Sequence, residues 1–168
     1  MLHHTKIRNL LFVVAITLLT IASQNRMTAA PNPGGQPANE GDYGQGTRLR
    51  ARANKIIRGI EAELKGKFRN EEGRKQLEGE LDNISLRIGK EISFCLATSN
   101  EDIPLDAAKI GTHHDGQKNA QFELDTENGD KVPDVVAGNK LEARNGSNDG
   151  MADCSKPLLI SATFQRDR

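Results

Sequence analysis

Large apolar side chains become scarce after residue 22, and this scarcity limits the size of any hydrophobic core. The chain has 168 residues, but it contains no tryptophan, one tyrosine and five phenylalanines. Nearly a quarter of its hydrophobic residues belong to the first 22 positions. The remaining residues can therefore bury one small domain at most.

The run Leu10 to Ala22 has no charged residue and follows Lys6 and Arg8. A membrane-spanning helix needs roughly 20 apolar residues, so this shorter run is typical of a secretory signal peptide. We predict that residues 1–22 are this signal, cleaved after Ala22. An uncleaved anchor is the alternative, and it would keep the protein close to a membrane. Both interpretations predict an exported protein, secreted or periplasmic.

Residues 23–46 predict a flexible tether. From Pro31 to Gly46 the sequence is dominated by proline, glycine, asparagine and glutamine, which leaves few side chains that could pack. The folded domain is therefore assigned to the rest of the chain. It is predicted to combine a helical segment at 47–90 with a β-rich segment at 91–168.

The segment 47–90 carries two apolar stripes with three- and four-residue spacing. The first is Leu49, Ala53, Ile56, Ile60 and Leu64, and the second is Leu77, Leu81, Ile84 and Ile88. This spacing predicts an amphipathic helix or a helical hairpin, although Gly73 and Gly79 disfavour both. Narrow stripes of this kind need a cover, which is either the β-rich segment or a second copy of the chain in a coiled coil. A homo-oligomer through the helices is therefore one alternative.

Arg48, Arg52 and Lys55 would form a basic face on the first helix. Such a face suits anionic lipid headgroups, a polysaccharide or nucleic-acid phosphates. An ordinary solvated face is favoured instead, because Glu61 and Glu63 partly neutralise it. No nucleic-acid partner is expected, since no aromatic residues lie between the basic ones and the whole chain balances 23 cationic against 23 acidic residues.

The segment 91–168 has the sequence pattern of a small sheet. EISFCLATS, from Glu91, and PLLISATFQ, from Pro157, predict two strands. Weaker strand candidates are Gln121–Leu124 and Val132–Val136. We therefore expect an α+β fold, in which the N-terminal amphipathic helix or helical hairpin packs on a small antiparallel sheet.

Cys95 and Cys154 are the only two cysteines of the chain. An even number of cysteines in an exported protein predicts a disulfide bond. The bond would tie the first strong strand to the start of the last and would close the sheet. In the chain-entropy model, closing a loop of this length stabilises the fold by roughly 4 kcal/mol.

One loop arranges oxygen-bearing groups at alternate positions. They are the side chains of Asn145, Ser147, Asp149 and Asp153 and the carbonyl of Met151. Calcium takes roughly six to eight oxygen ligands, and this loop can supply many of them. The segment resembles the short aspartate-rich calcium loops of thrombospondin type 3 repeats and, more loosely, the start of an EF-hand loop. Asn145 and Ser147 stand where aspartate is usual, which implies weak binding, and an ordinary polar turn is the alternative.

Asn83 and Asn145 each begin an Asn-x-Ser sequon, which matters only in a eukaryotic secretory pathway. A glycan on Asn145 would exclude the use of its side chain as a calcium ligand.

These features predict an exported, non-enzymatic protein that binds a protein or a cell-surface partner through its helical face or its long loops. The first alternative is a calcium-stabilised adhesion or surface module. The second is a small secreted hydrolase or effector toxin, although the chain has no nucleophile elbow, phosphate loop or dinucleotide motif.

Overall fold

A computed structural model describes residues 46–113 and 115–167, whose regular secondary structure is almost entirely β-strand. The predicted signal at 1–22 and the predicted tether, apart from Gly46, lie outside the described residues. The strands are β1 (Thr47–Ile57), β2 (Ile60–Glu71), β3 (Arg74–Asp82), β4 (Glu91–Ala97), β5 (Asp102–Lys109), β6 (Gly111–Thr112), β7 (Lys118–Asp125), β8 (Lys140–Asn145), β9 (Leu158–Thr163) and β10 (Gln165–Arg166). A 3₁₀ turn spans Thr126–Asn128. This part of the chain contains no helix long and apolar enough to cross a bilayer.

The strands form two antiparallel sheets. The six-stranded sheet has the order β10-β1-β2-β3-β7-β6, and the four-stranded sheet has the order β5-β4-β8-β9. Alternate residues of the strands face the space between the sheets, where the hydrophobic core lies. The outward rows of β1, β2 and β3 are mainly charged.

Two buried residues mark the corners where the chain passes from one sheet to the other. Ile110 separates β5 from β6, and Phe164 separates β9 from β10. The backbone of Ile110 exchanges two hydrogen bonds of 2.8 Å with residues 89–90, while Phe164 exchanges bonds of 2.8 and 2.9 Å with residues 138–139. The two corners are therefore built in the same way, each on the segment that leads into β4 or β8.

Glycines make room for the largest side chains of the core. A Cβ atom on Gly79 of β3 would overlap the ring of Phe122, and one on Gly66 of β2 would lie 2.9 Å from Leu141 and 3.1 Å from Phe164. Gly66 and Gly79 are directly opposite each other in the sheet. The missing side chains of these two residues make room for the ring of Phe122, from the neighbouring strand β7, and for the ring of Phe164 at its corner.

The predicted helices are wrong, and with them the α+β fold class. Residues 47–82 form the strands β1, β2 and β3 of one antiparallel sheet. A separation of four residues satisfies both a helix of period 3.6 and a strand of period two, so Leu77 and Leu81 fit either. The position between them is Gly79, which hides the alternation of the strand.

The first stripe fails for a related reason. The buried row of β1 contains Leu49 and Ala51, whereas Ile56 of the predicted stripe is 72% exposed. Small inward residues such as Ala51 made the period of two difficult to see. The turn Arg58-Gly59 has positive φ at both residues, as two-residue hairpin turns of type I′ require.

The strands of the second half were predicted more accurately. The strand expected from Glu91 is confirmed as β4 and that from Pro157 as β9, and Gln121–Leu124 lies within β7. The predicted strand Val132–Val136 is wrong, because these residues belong to the loop between the 3₁₀ turn and β8.

Candidate functional site

The outward face of the β1–β2 hairpin carries six cationic residues in two adjacent rows. They form three directly opposite cross-strand pairs, Arg48 with Arg69, Arg50 with Lys67, and Arg52 with Lys65. We call these six residues the basic ladder. Its rows exist because β-strand side chains alternate between faces, so that every second residue of RLRAR in β1 and LKGKFR in β2 points outward.

Acidic residues contact most members of the basic ladder from its margins. Arg48 pairs with Glu71 at 2.7 Å, and Arg50 pairs with Asp167 at 2.7 Å. Arg52 pairs with Glu63, and Lys67 pairs with Glu78 at 3.2 Å. Lys65 lies 2.6 Å from Asp82 and is also within 4 Å of Glu63 and Glu80. Arg69 has no ion pair within the described part of the chain.

Within the ladder, the side chain of Lys65 donates a hydrogen bond to the carboxylate of Asp82. This bond raises the pKa of Lys65 against the opposing effect of its partial burial. Lys65 therefore stays charged in the pH range in which proteins work.

The other half of the same outward face is acidic. Glu78, Glu80 and Asp82 of β3 lie beside the basic ladder, and Glu123 of β7 is directly opposite Glu78. The basic ladder on β1 and β2, with Glu63 and Glu71 at the ends of its β2 row, thus lies beside an acidic group on β3 and β7. This division gives an incoming charged partner one favoured side.

The three residues of the predicted basic face all lie on β1. Arg48 and Arg52 share the outward row, together with Arg50, which the helical interpretation did not place with them. Lys55 belongs to the other row, and its Nζ donates to the carbonyl of Leu159 at 2.6 Å. Sequence reasoning missed the contribution of β2, although the alternation in RLRAR was a visible signal for a strand.

The predicted disulfide is present. Cys95 is fully buried on β4 and is bonded to Cys154, with 6.0 Å between the two Cα atoms. The bond fastens residues 146–157, which we call the strap, across the outer face of the four-stranded sheet. Ser93 provides a second attachment, since its Oγ donates to the carbonyl of Gly146 at 2.6 Å and accepts from the backbone N–H of Asp153 at 2.9 Å.

The predicted calcium ligands lie in and beside the strap. Asp149 is exposed at a two-residue turn with positive φ, and the Met151 carbonyl accepts the N–H of Asn148 at 2.9 Å. The Ser147 hydroxyl bonds to Glu91 of β4. Asp149 and Met151 thus belong to the turn itself, and Ser147 attaches the base of the turn to β4.

Asp153 and Asn145 complete the predicted calcium set. Hydrogen bonds from Ser155 lower the pKa of Asp153, and Lys156 lies 3.3 Å from its carboxylate. Oδ1 of Asn145 is buried without a hydrogen-bond partner in the described structure. Calcium binding at this loop stays a prediction.

The two sequons differ in accessibility. Asn83 is exposed in the segment between β3 and β4, and its Nδ2 donates to the carbonyl of Glu61 at 2.8 Å. Asn145 is only partly exposed at the end of β8. A glycan would therefore be accommodated more easily at Asn83.

A buried carboxylate that sequence reasoning missed lies at the far end of β7. Asp125 is 3% exposed and accepts hydrogen bonds from Arg74, from Gln76 at 2.8 Å and from the N–H of Glu127 at 2.9 Å. These hydrogen bonds hold the pKa of Asp125 far below its ordinary value, although burial opposes them. The bond from Arg74 has the largest effect. The cluster ties β3 to β7 and begins the 3₁₀ turn, so its role is structural.

Comparison with family models, with curated proteins and with solved structures finds no match to this chain.

Proposed function

We propose that this chain is an exported, non-enzymatic binding module that attaches to an anionic partner at a cell surface through the basic ladder. The observation that carries the proposal is the register of β1 and β2, which sets like charges directly opposite each other three times in succession. Export is supported by the apolar run Leu10 to Ala22 and by the Cys95–Cys154 disulfide.

The three like-charge pairs of the ladder oppose stability, whereas Lys65 and Lys67 also lie directly opposite Glu80 and Glu78 of β3. Like charges directly opposite each other on one face of an antiparallel pair are destabilising. Nothing in the core requires them, because these six side chains point away from it. A binding function accounts for their position, since an anionic partner would neutralise both rows at once.

The existing ion pairs of the ladder do not prevent binding. Arg48 and Arg50 are more than 60% exposed in their side chains, and exposed ion pairs contribute only about 0–1 kcal/mol each. Their acidic partners can therefore be exchanged for the anionic groups of a ligand at little cost. Arg69, which has no ion pair in the described structure, is available without any exchange.

Binding to immobilised heparin, a soluble sulfated polyanion, tests the proposal. The triple variant Arg48→Gln, Arg50→Gln, Arg69→Gln should lose affinity by about tenfold or more, because three cationic contacts are removed. The matched control is Lys109→Gln, Lys131→Gln, Lys140→Gln, which removes the same charge from exposed positions outside the ladder.

The expected result is that the control stays close to the wild type while the ladder variant elutes at lower salt. Equal losses in the two variants would show that net charge alone governs retention, and would overturn the proposal. Failure of the wild-type protein to bind heparin would overturn it as well.

A further inference from the structure

We propose that the anionic partner is a lipid bilayer, and that the protein docks on it through the end of the molecule where the β1–β2 turn lies. We call residues 54–61 and 83–90 the hairpin end. This inference rests on the proposed function and names the chemistry of the surface. It draws on residues outside the basic ladder, so the two can fail separately.

The two segments of the hairpin end are joined to each other. Oγ of Ser85 donates to the carbonyl of Ile57 at 2.8 Å, and Nδ2 of Asn83 donates to the carbonyl of Glu61 at 2.8 Å. Residues 83–90 also carry Ile84 and Leu86, both of which are 2% exposed. Residues 83–90 are therefore held in place by two buried side chains and by hydrogen bonds to the β1–β2 hairpin.

Three isoleucines of the hairpin end face solvent. Ile56 is 72% exposed, Ile60 is 42% exposed and Ile88 is 60% exposed. They make up half of the six exposed large apolar side chains of the described residues. Ile56 and Ile60 flank the β1–β2 turn, and Ile88 lies on the segment that is bonded to it. Exposed apolar side chains that share one end of a molecule mark a site for a protein partner or a membrane.

The charges of the hairpin end favour a membrane of anionic lipids. Its two segments contain the cations Lys55, Arg58, Arg87 and Lys90, all exposed, and the single acidic residue Glu61. Arg58, Arg87 and Lys90 have no ion pair among the described residues. Each Lys or Arg close to an anionic bilayer increases binding by about fivefold, and apolar side chains that enter the interface add to this.

The hairpin end is continuous with the basic ladder. Ile56 is the last member of the outward row of β1 that contains Arg48, Arg50 and Arg52. Arg52 and Lys65 form the pair of the ladder nearest to the β1–β2 turn. A bilayer in contact with the turn would therefore lie closer to this pair than to the other two pairs of the ladder. A soluble polyanion, in contrast, would bind the ladder and leave the three isoleucines in water.

Co-sedimentation of the full chain with vesicles tests the inference. We expect binding to vesicles of phosphatidylcholine mixed with phosphatidylglycerol and little binding to phosphatidylcholine alone. The variant Ile56→Thr, Ile60→Thr, Ile88→Thr keeps β-branched residues and leaves the core intact, and it should bind the mixed vesicles at least about thirtyfold more weakly. The control Val136→Thr removes an exposed apolar side chain beside Thr47 and Asn70, at the opposite ends of β1 and β2, and should bind like the wild type.

A second variant does not depend on the isoleucines. Arg58→Gln, Arg87→Gln, Lys90→Gln should weaken binding to the mixed vesicles by about a hundredfold. Wild-type protein that binds heparin but not the mixed vesicles would overturn this inference and leave the proposed function standing. Vesicle binding that neither variant weakens would also overturn it, whereas binding to neither probe would overturn both proposals.

Discussion

The guanidinium of Arg74 donates from two of its nitrogens to the buried carboxylate of Asp125. Arg74 begins β3 and Asp125 ends β7, so the pair joins two neighbouring strands of the six-stranded sheet. Arg74 also contacts Glu127 at 2.9 Å, just beyond β7. The charge of Asp125 is thus part of the fold, and stability should follow its protonation.

Replacing Asp125 with asparagine should destabilise the protein at neutral pH but less so in acid. The folded-state pKa of Asp125 is lowered, whereas an unfolded aspartate has a pKa of about 3.9. The stabilisation by its charge is therefore complete above about pH 4 and is lost as the pH falls toward the folded-state pKa. Urea unfolding of the wild type and of Asp125→Asn across this range should show the difference between them shrinking as the pH falls.

The control for this prediction is Asp149→Asn. Asp149 is exposed in a turn with positive φ, a conformation that asparagine also adopts readily. This variant should remain close to the wild type at every pH. A difference between Asp125→Asn and the wild type that stays constant from neutral to acidic pH would contradict the role of the Asp125 charge.

Replacing Gly79 with alanine should destabilise the fold by about 1–3 kcal/mol, the usual cost of overpacking a core. The new methyl group would overlap the ring of Phe122, which has to move within a filled interior. Chemical denaturation measures the loss. Gly111→Ala is the control, because a Cβ atom there meets nothing within 4 Å, and its stability should be unchanged or slightly higher. Equal stability of the two variants would contradict the close packing of Phe122 on Gly79.

Reducing the Cys95–Cys154 bond should lower the free energy of unfolding by about 4 kcal/mol, since a long loop of the unfolded chain is released. The strap should then exchange its amide hydrogens faster, notably the N–H of Asp153, which is bonded to Ser93. Denaturation with and without reductant, followed by hydrogen exchange, measures both effects. The double variant Cys95→Ala, Cys154→Ala should behave like the reduced protein. A reduced protein as stable as the oxidised one would contradict the role of the bond in holding the strap.

The sequence predicted the disulfide and the strands β4 and β9, but not the architecture. Two cysteines allow one pairing, and Ile92, Phe94 and Leu96 of β4 show the alternation of a strand in large side chains. In β1 and β3 some inward positions hold small residues, such as Ala51 and Gly79, so the alternation is weak in the sequence. The larger apolar residues that remain are often four positions apart, which is also the spacing of a helix. At Gly79 the core is filled by the ring of Phe122 from the neighbouring strand β7, so no large side chain marks that inward position in the sequence of β3.

The candidate site was predictable only in part. Arg48 and Arg52 were identified as members of a basic surface, because they are close in sequence. Their partners Lys65 and Arg69 come from a second strand, and only the register of the hairpin brings them opposite. Asp125 was not identified, since its side-chain partners Arg74 and Gln76 lie about 50 residues earlier in the chain and no local sequence pattern indicates such a pairing.

The corners at Ile110 and Phe164 have a consequence for the behaviour of the protein at high concentration. A sheet that ends in a long, flat strand exposes backbone groups on which another molecule can add, and this is how many β-proteins aggregate. Here the outer strands of the four-stranded sheet, β5 and β9, bend at these residues and continue into the other sheet. The bends interrupt the straight template that fibril growth requires, so a chain that is mostly β-structure gains protection from edge-to-edge assembly.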